Sequence, residues 1–321
     1  MNTYNNIKLQ AIALAVLLIF FASLKSQAQT DTSAAPVTLD GHKFIVNSNV
    51  GSPFTNTTFK NTLGAGQTMD LQMPDIVIRG VKLKQVQGDV AYTTLAFGYQ
   101  QEIRDWMAFY GEVALVGRLG TETGTLVTLG VNVITGYQMG WKFKVLQTKD
   151  FRLSTTLNIQ KSSFTTINLP DFIQGIIDSG KVTPGNKLVN YTPLLRGGVG
   201  VQGAYAFNKT FGAIAKLYVD YGESAKRYED EVFNYSWGIT FDADLNPVQK
   251  VPLGFLIGFV HSSLPTFKEE ISRDPNQVLF QINYTGKKYL SIGAEVVYQW
   301  YRPENFEQDV KFVTITLNSS I

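Results

Sequence analysis

Three charged residues stand near the middle of segments in which apolar and polar residues alternate: Glu112, Lys216 and Glu295. Successive side chains of a strand point to opposite faces, so each charge would lie on the face opposite the apolar side chains. Two carboxylates and one ammonium group at similar depth can line a polar passage or select a solute. They can equally pair with one another as a structural network that fills a narrow interior. Further candidates stand nearer the strand ends, where we expect most to be solvated or to belong to the girdles at the membrane interfaces: Arg118, Lys142, Arg152, Asp220 and Asp242.

Few residues of this chain could carry out covalent catalysis. A serine hydrolase that uses a Ser-His pair would need one of the two histidines, His42 or His261. Ser262 follows His261, but alternation places it on the opposite side of a strand, so a histidine at a membrane interface is the simpler interpretation. With no cysteine and no histidine cluster, the sequence predicts no catalytic residue, no metal site and no cofactor.

The elements that carry these residues read as β-strands. From Leu290 to Trp300 every second residue is apolar or aromatic, while most of the residues between are polar or small. The same alternation recurs from Asp89 to the end of the chain. It predicts eleven strands at about 89–101, 106–118, 127–146, 151–160, 198–208, 211–222, 233–245, 253–261, 277–284, 288–300 and 311–319.

The apolar faces of these strands predict a membrane barrel. A closed barrel is the strand structure that satisfies its own backbone inside lipid, and it exposes only every second residue to acyl chains. We therefore assign the apolar side chains to lipid and the polar ones to the interior. A lysine on the lipid face near the midplane would cost about 2–4 kcal/mol, which places Lys216 inside.

Connection lengths alternate as well. Short connections follow the odd-numbered predicted strands and longer ones follow the even-numbered strands, as in outer-membrane barrels with short periplasmic turns. An even count then requires a twelfth strand before Asp89, for which His42–Asn47 and Ile76–Val86 are the candidates. The prediction is an all-β protein with a single antiparallel transmembrane barrel of about 12 strands, in a range of roughly 10–14.

The N-terminus predicts export. Residues 1–28 combine Lys8, an apolar run over Leu9–Leu24 and a small-residue junction at Ser26-Gln27-Ala28, which is typical of a cleaved signal peptide. Its removal leaves 26 basic and 26 acidic residues. This neutral balance disfavours nucleic acid as a partner.

The remaining parts are an N-terminal segment and a long loop. Residues 29–87 carry little strand signal before the barrel domain at 88–321, and they are predicted to form a periplasmic or plug-like segment in which Gly51–Gln67 is irregular. Loop 161–193 contains an apolar stripe between Pro170 and Gly180 that favours a short helix.

Residues 89–321 resemble Gram-negative outer-membrane β-barrels in their alternation and turn rhythm. The Ser26–Gln29 junction is similar to those of exported Bacteroidota proteins. The irregular N-terminal segment loosely resembles outer-membrane transporters of fatty acids and hydrocarbons, in which an N-terminal hatch fills a barrel of fourteen strands. The resemblance implies an outer-membrane location, contact with membrane lipids and lipopolysaccharide, and insertion by the barrel-assembly machinery.

Three functions agree with these observations. The favoured one is passage of small, apolar or amphiphilic solutes without covalent chemistry, with Glu112, Lys216, Glu295, Arg118, Lys142 and Arg152 as candidate lumen residues. The second is an outer-membrane lipid hydrolase or deacylase with a Ser-His pair. The third is a structural or secretion-associated barrel whose loops 161–193 and 264–276 bind partners.

Overall fold

The computed structural model describes residues 38–47, 49–69, 77–78, 81–82, 89–120, 131–167, 178, 189–223, 231–263, 271–287, 290–303 and 308–321. These residues belong to one unit, Pro36–Ile321. The predicted signal peptide lies outside them, as does the predicted loop helix apart from Asp178.

The described residues form β-strands almost throughout. In chain order the strands are β1 Thr38–Leu39, β2 His42–Lys43, β3 Thr58–Met69, β4 Val77–Ile78, β5 Val81–Lys82, β6 Val90–Arg104, β7 Met107–Gly120, β8 Val131–Gln147, β9 Phe151–Ile167, β10 Val189–Ala206, β11 Phe211–Gly222, β12 Val232–Asp244, β13 Leu253–Ser262, β14 Ile271–Lys287, β15 Leu290–Pro303 and β16 Val310–Ser320. A one-turn helix, Asn246–Gln249, lies between β12 and β13. Among the residues that the structure describes, no helix is long and apolar enough to cross a bilayer.

Twelve strands close into an antiparallel barrel, which confirms the predicted fold class and strand count. β3 and β6 to β16 pair in chain order, and β16 pairs back onto β3. The two other pairs, β1 with β2 and β4 with β5, are short and separate from the barrel sheet.

The position of the twelfth strand was predicted wrongly. It is β3, within the region that the sequence indicated as irregular. His42–Asn47 does not belong to the barrel, and neither do residues 77–78 and 81–82; the rest of Ile76–Val86 lies outside the described residues. β3 carries Gly64, Ala65 and Gly66 at its centre, where a recognisable strand would carry β-branched or aromatic residues. Its neighbours supply the missing bulk, because Tyr92 and residues of β16 occupy the space that a side chain at Gly64 or Gly66 would fill.

Chain connections alternate in length as predicted. Of the five at one end of the barrel, four are short, namely 105–106, 148–150, 207–210 and 288–289, and the fifth, 245–252, contains the one-turn helix. The others are generally longer: 70–89, 121–130, 168–188, 223–231, 263–270 and 304–309. We call the two ends of the barrel the short-turn end and the long-loop end. The start of β3 and the end of β16 both lie at the short-turn end, where the backbones of Phe59 and Ile321 exchange two hydrogen bonds.

The two faces of each strand separate as the alternation predicts. On β9, Leu157 and Ile159 are 53% and 55% exposed on the outside, whereas Ser154 and Asn158 point inward and are buried. The same apolar exterior continues around the ring with Val199, Leu217, Phe241, Ile257, Phe280, Val296, Ile315 and Leu63. This continuous apolar surface is the one that a bilayer requires.

Candidate functional site

A cavity of about 630 Å³ lies inside the barrel. Its wall is made mainly by inward side chains and is rich in threonine, serine, glutamine, asparagine and tyrosine. The charged residues that line it are Lys60, Glu112, Lys142, Lys216, Asp220 and Glu295. Ten or more strands contribute to this lining, so the cavity spans the width of the barrel interior.

Residues 38–47 and 49–57, which we call the inner segment, lie against the short-turn end and reach into the interior. The amide of Asp40 donates to the carbonyl of Lys149 at 2.9 Å, and Lys43 Nζ donates to the carbonyl of Lys287 at 2.7 Å. Thr55 Oγ1 donates to the carbonyl of Asp105 at 3.0 Å. The segment is therefore attached to short turns on several sides of the ring.

Two carboxylates of the wall accept hydrogen bonds from the first half of the inner segment. Asp242 on β12 accepts from His42 Nε2 at 2.9 Å and from the amide of Ile45 at 3.1 Å. Glu295 on β15 accepts from Asn47 Nδ2. Both carboxylates are nearly inaccessible, so the hydrogen bonds replace part of the solvation that each charge loses on burial. Both bonds to Asp242 go to Oδ2, and its Oδ1 has no described partner.

Three cationic side chains bind the second half through its backbone carbonyls. Lys142 Nζ on β8 donates to the carbonyl of Ser52 at 2.5 Å. Arg152 Nε on β9 donates to the carbonyl of Pro53 at 3.1 Å, and Lys216 Nζ on β11 donates to the carbonyl of Asn49. Hydrogen bonds to charged donors are stronger than neutral ones, so these contacts fix the path of the segment.

Apolar contacts accompany the polar ones. Leu39, Phe44, Ile45, Val50 and Phe54 of the inner segment share a buried cluster with inward residues of five strands: Ala204, Ala206, Ile214, Leu256, Val260, Leu279 and Val297. This cluster explains why β13 is apolar on both faces, since one face meets lipid and the other meets the inner segment.

Glycines of the wall allow the close approach. A side chain at Gly212 would lie 2.5 Å from His42 Nε2 and 2.7 Å from the ring of Phe44. A side chain at Gly254 would lie 2.5 Å from Ile45 Cδ1. The segment and the wall therefore fit each other sterically as well as electrostatically.

A hydrogen-bonded network covers another part of the wall. Tyr218 donates to Asn158 Oδ1 at 2.7 Å, and Asn158 Nδ2 donates to the hydroxyl of Tyr110 at 3.1 Å. Gln138 reaches the same hydroxyl at 3.4 Å. These side chains line the cavity and give it aromatic as well as polar surface.

The structure brings the three central candidates to one cavity. Glu112, Lys216 and Glu295 all point inward and line it, as the alternation predicts. In the described contacts they do not pair with one another: Lys216 binds a backbone carbonyl and Glu295 binds an asparagine amide. An ion-pair network among these three is thus not the arrangement found.

The expectation that candidates near the strand ends are solvated is wrong for four of them. Lys142, Arg152, Asp220 and Asp242 are each at most 7% exposed. The inner segment covers three of these, and Arg196 covers Asp220 through an ion pair. Arg118 lies opposite Tyr92 in the pairing of β6 with β7, near the long-loop end.

Sequence reasoning did not identify the residues of the inner segment that these charges bind. Asn47 and Asn49 carry no motif, and the other contacts use backbone groups. A usable signal was present in β13, whose interior positions Leu256 and Val260 are apolar where a water-filled lumen would favour polar residues.

Among the described residues, neither histidine contacts a serine hydroxyl. His261 lies with the outer aromatic residues, and its ring nitrogens contact Asn276 Oδ1 at 3.0 Å and the hydroxyl of Tyr235 at 3.3 Å. His42 contacts Asp242 and the carbonyl of Lys209. Within the described residues no serine bonds to either ring, and no group of three metal-binding side chains occurs.

Comparison with solved structures finds similar chains at low sequence identity. An outer-membrane channel from Pseudomonas putida F1 matches with a TM-score of 0.55 and 8% identity, covering 87% of this chain and 100% of that chain. The P. putida toluene transporter TodX gives a TM-score of 0.41 and 11% identity, covering 82% and 88%. A Pseudomonas aeruginosa FadL homologue gives 0.42 and 10%, covering 82% and 90%.

No protein-family model matches the sequence, and no curated protein does. The likeness to the P. putida F1 channel, at this identity, shows the fold alone. That channel and this chain share the barrel fold, which agrees with the predicted resemblance to outer-membrane β-barrels.

Proposed function

We propose that this barrel lets small solutes cross the outer membrane of a Gram-negative bacterium. The observation that carries the proposal is the polar cavity of about 630 Å³ enclosed by a barrel whose exterior is apolar. A barrel of twelve strands is wide enough to hold a small solute beside its interior side chains.

Amphiphilic solutes fit this lining better than purely apolar ones. The wall offers carboxylates, ammonium groups and amides beside the rings of Tyr110 and Tyr218. A solute with one polar group and a short apolar part can satisfy both kinds of surface. A hydrocarbon would leave the polar groups without partners, at a cost in binding free energy.

The location and orientation follow from the same proposal. Residues 1–28 are removed during export, the short-turn end faces the periplasm, and the long loops face outward. Membrane lipids and lipopolysaccharide surround the apolar exterior, and the barrel-assembly machinery inserts the chain. The Bacteroidota origin is proposed from the Ser26–Gln29 junction alone.

The inner segment acts in this proposal as a plug at the periplasmic end. Its contacts with Asp105, Lys149 and Lys287 reach the short turns on different sides of the ring. Passage therefore requires this segment to shift, at least near its tip at residues 47–51.

A disulfide that locks the tip tests the proposal. A side chain at Gly238 would lie 3.3 Å from Val50 Cγ2, so Val50→Cys with Gly238→Cys places two thiols within bonding reach. The chain has no other cysteine to interfere. We expect uptake of hexanoate and glucose into proteoliposomes when the pair is reduced, and its loss when the pair is oxidised.

The single variants Val50→Cys and Gly238→Cys control for packing, because Gly238 lies close to Val260. Uptake no faster than in protein-free liposomes, for both the reduced pair and the unmodified protein, would contradict the proposed passage. Equal uptake in the oxidised and reduced states would contradict the plug and leave the passage in place.

A further inference from the structure

The charged wall residues that bind the inner segment lie on two sides of the ring. Three further charged residues line the cavity without a described hydrogen bond to the segment: Lys60, Glu112 and Asp220. Asp242 on β12 and Glu295 on β15 supply the acidic side, while Lys142 on β8, Arg152 on β9 and Lys216 on β11 supply the basic side. β15 stands six strands from β9 in a ring of twelve, so Glu295 and Arg152 come from opposite sides of the barrel.

None of the three cations forms an ion pair within the part of the chain that the structure describes, and neither does Glu295. Each binds a neutral group of the inner segment. Lys142 and Arg152 also donate to wall amides, those of Gln100 and Gln147, at 2.8 Å each. Separated and unneutralised charges of both signs produce a strong field across the space between them, because the interior screens them poorly.

The inner segment is oriented to match this field. It turns hydrogen-bond donors toward the acids, namely His42, the amide of Ile45 and the amide of Asn47. It turns carbonyl oxygens toward the cations, at Asn49, Ser52 and Pro53. The segment therefore binds as a dipolar ligand with its positive groups on one side and its negative groups on the other.

We infer that the space between Glu295 on one side and Lys142 and Arg152 on the other is a dipolar solute site, which the inner segment occupies in the absence of solute. The solute class that fits it is a small zwitterion carrying an ammonium group and a carboxylate. This inference rests on the proposed passage and names the substrate class for it.

A zwitterion satisfies both sides of the site at once. Its ammonium group replaces the donors at Glu295, and its carboxylate replaces the carbonyls at Lys142 and Arg152. A solute with a single charge leaves one side without the partners that the segment supplied, and a buried charge with too few partners opposes binding. The site therefore favours zwitterions over anions or cations of the same size.

Uptake of three matched probes by the full-length protein tests the inference. Alanyl-alanine is the zwitterion, its N-acetyl derivative is the anion, and its C-terminal amide is the cation at neutral pH. We expect proteoliposomes to take up the zwitterion faster than either derivative by about an order of magnitude, which corresponds to the loss of one charge-assisted hydrogen bond.

Variants of the acidic side and variants of the basic side should change the uptake ratios of the three probes in opposite ways. Glu295→Gln is expected to remove the advantage of the zwitterion over the anion and to keep the advantage over the cation. Lys142→Gln combined with Arg152→Gln should remove the advantage of the zwitterion over the cation and keep the advantage over the anion. The ratio of two uptake rates measured with one variant does not depend on how often the inner segment is displaced. A variant that only loosens the segment therefore leaves the ratios unchanged.

The matched controls are Glu231→Gln and Lys144→Gln, which change the same residue types outside the site and should leave the ratios as in the unmodified protein. Equal uptake of all three probes, or the same change of ratios in both sets of variants, would overturn the dipolar site and leave the passage intact. Uptake of no probe, with hexanoate and glucose also excluded, would instead refute the proposed function.

Discussion

Glu295 contacts the tip of the inner segment without a cationic partner in the described structure. Its carboxylate accepts hydrogen bonds from the side chains of Asn47 and, at 3.5 Å, Asn49. A charged acceptor on neutral donors contributes about 1.5–3 kcal/mol when buried. The residue is therefore both a wall group of the cavity and an attachment point of the segment.

Glu295→Gln should loosen the tip. The amide keeps one oxygen acceptor but lacks the charge, so we expect the attachment of the segment to weaken by about 1.5–3 kcal/mol. Trypsin cleavage after Lys43, followed by mass spectrometry, measures how often the segment leaves the interior. Glu112→Gln is the matched control, since Glu112 lines the cavity with no described hydrogen bond to the segment. Equal cleavage in both variants would argue against the attachment.

Gly212→Ala tests the steric fit of the segment. The added methyl group would meet His42 and Phe44 at 2.5–2.7 Å, which forces a shift costing about 1–3 kcal/mol. Gly98→Ala is the control on the same inner wall, because its nearest neighbours would lie at 3.7 Å. We expect faster cleavage after Lys43 in the first variant only. If Gly98→Ala accelerates cleavage equally, close packing at Gly212 is not what holds the segment.

Among the barrel strands, β3 has the sequence least typical of a strand, yet the barrel closes through it. It pairs with β16 on one side and β6 on the other, and so closes the ring. Without it, both neighbouring strands would expose unpaired backbone groups to lipid, which is unfavourable by several kcal/mol for each group.

An engineered disulfide between β3 and β16 should form only between residues that the observed strand register places opposite each other. Thr62 and Asn318 are directly opposed at a pair that exchanges no backbone hydrogen bonds, where the Cα atoms lie about 4.5 Å apart. Thr62→Cys with Asn318→Cys should therefore oxidise readily, as seen by a reductant-sensitive change of gel mobility after heating. The pair Thr62→Cys with Thr316→Cys is offset by two residues and serves as the control. Faster oxidation of the offset pair would contradict the register.

At the scale of the whole molecule, the apolar exterior and polar interior decide where the barrel is stable. Leu217 is 55% exposed on the outside, whereas its neighbour Lys216 points inward. A lysine side chain is therefore tolerated at position 216, which faces the interior, and unfavourable at position 217, which faces outward, because lipid cannot solvate an ammonium group.

Leu217→Lys is expected to lower the free energy of unfolding by about 2–4 kcal/mol if the residue faces the bilayer midplane. Thr94→Lys places the same side chain on the cavity wall and should change stability far less. Urea unfolding in lipid vesicles measures both. Similar losses in the two variants would be incompatible with the assigned lipid face.

The alternation of apolar and polar residues along the sequence was sufficient to predict most strands. β11 was predicted as 211–222 and lies at Phe211–Gly222, because clean alternation with short turns leaves one register. β9 and β10 extend further than predicted, to Ile167 and from Val189, since polar residues at the barrel rim weaken the alternation there. β3 was missed for a different reason, because its small residues are stabilised by side chains of other strands.

The sequence by itself determined the fold class, the even strand count and which face of each strand carries the charges, since all three follow from the alternation of neighbouring residues and the lengths between strands. The tertiary structure alone decided what those charges touch. Asn47 and Glu295 stand 248 positions apart, and the carbonyls that bind Lys142 and Arg152 belong to the backbone, which carries no sequence signal. Such contacts arise only when the ring closes around the inner segment.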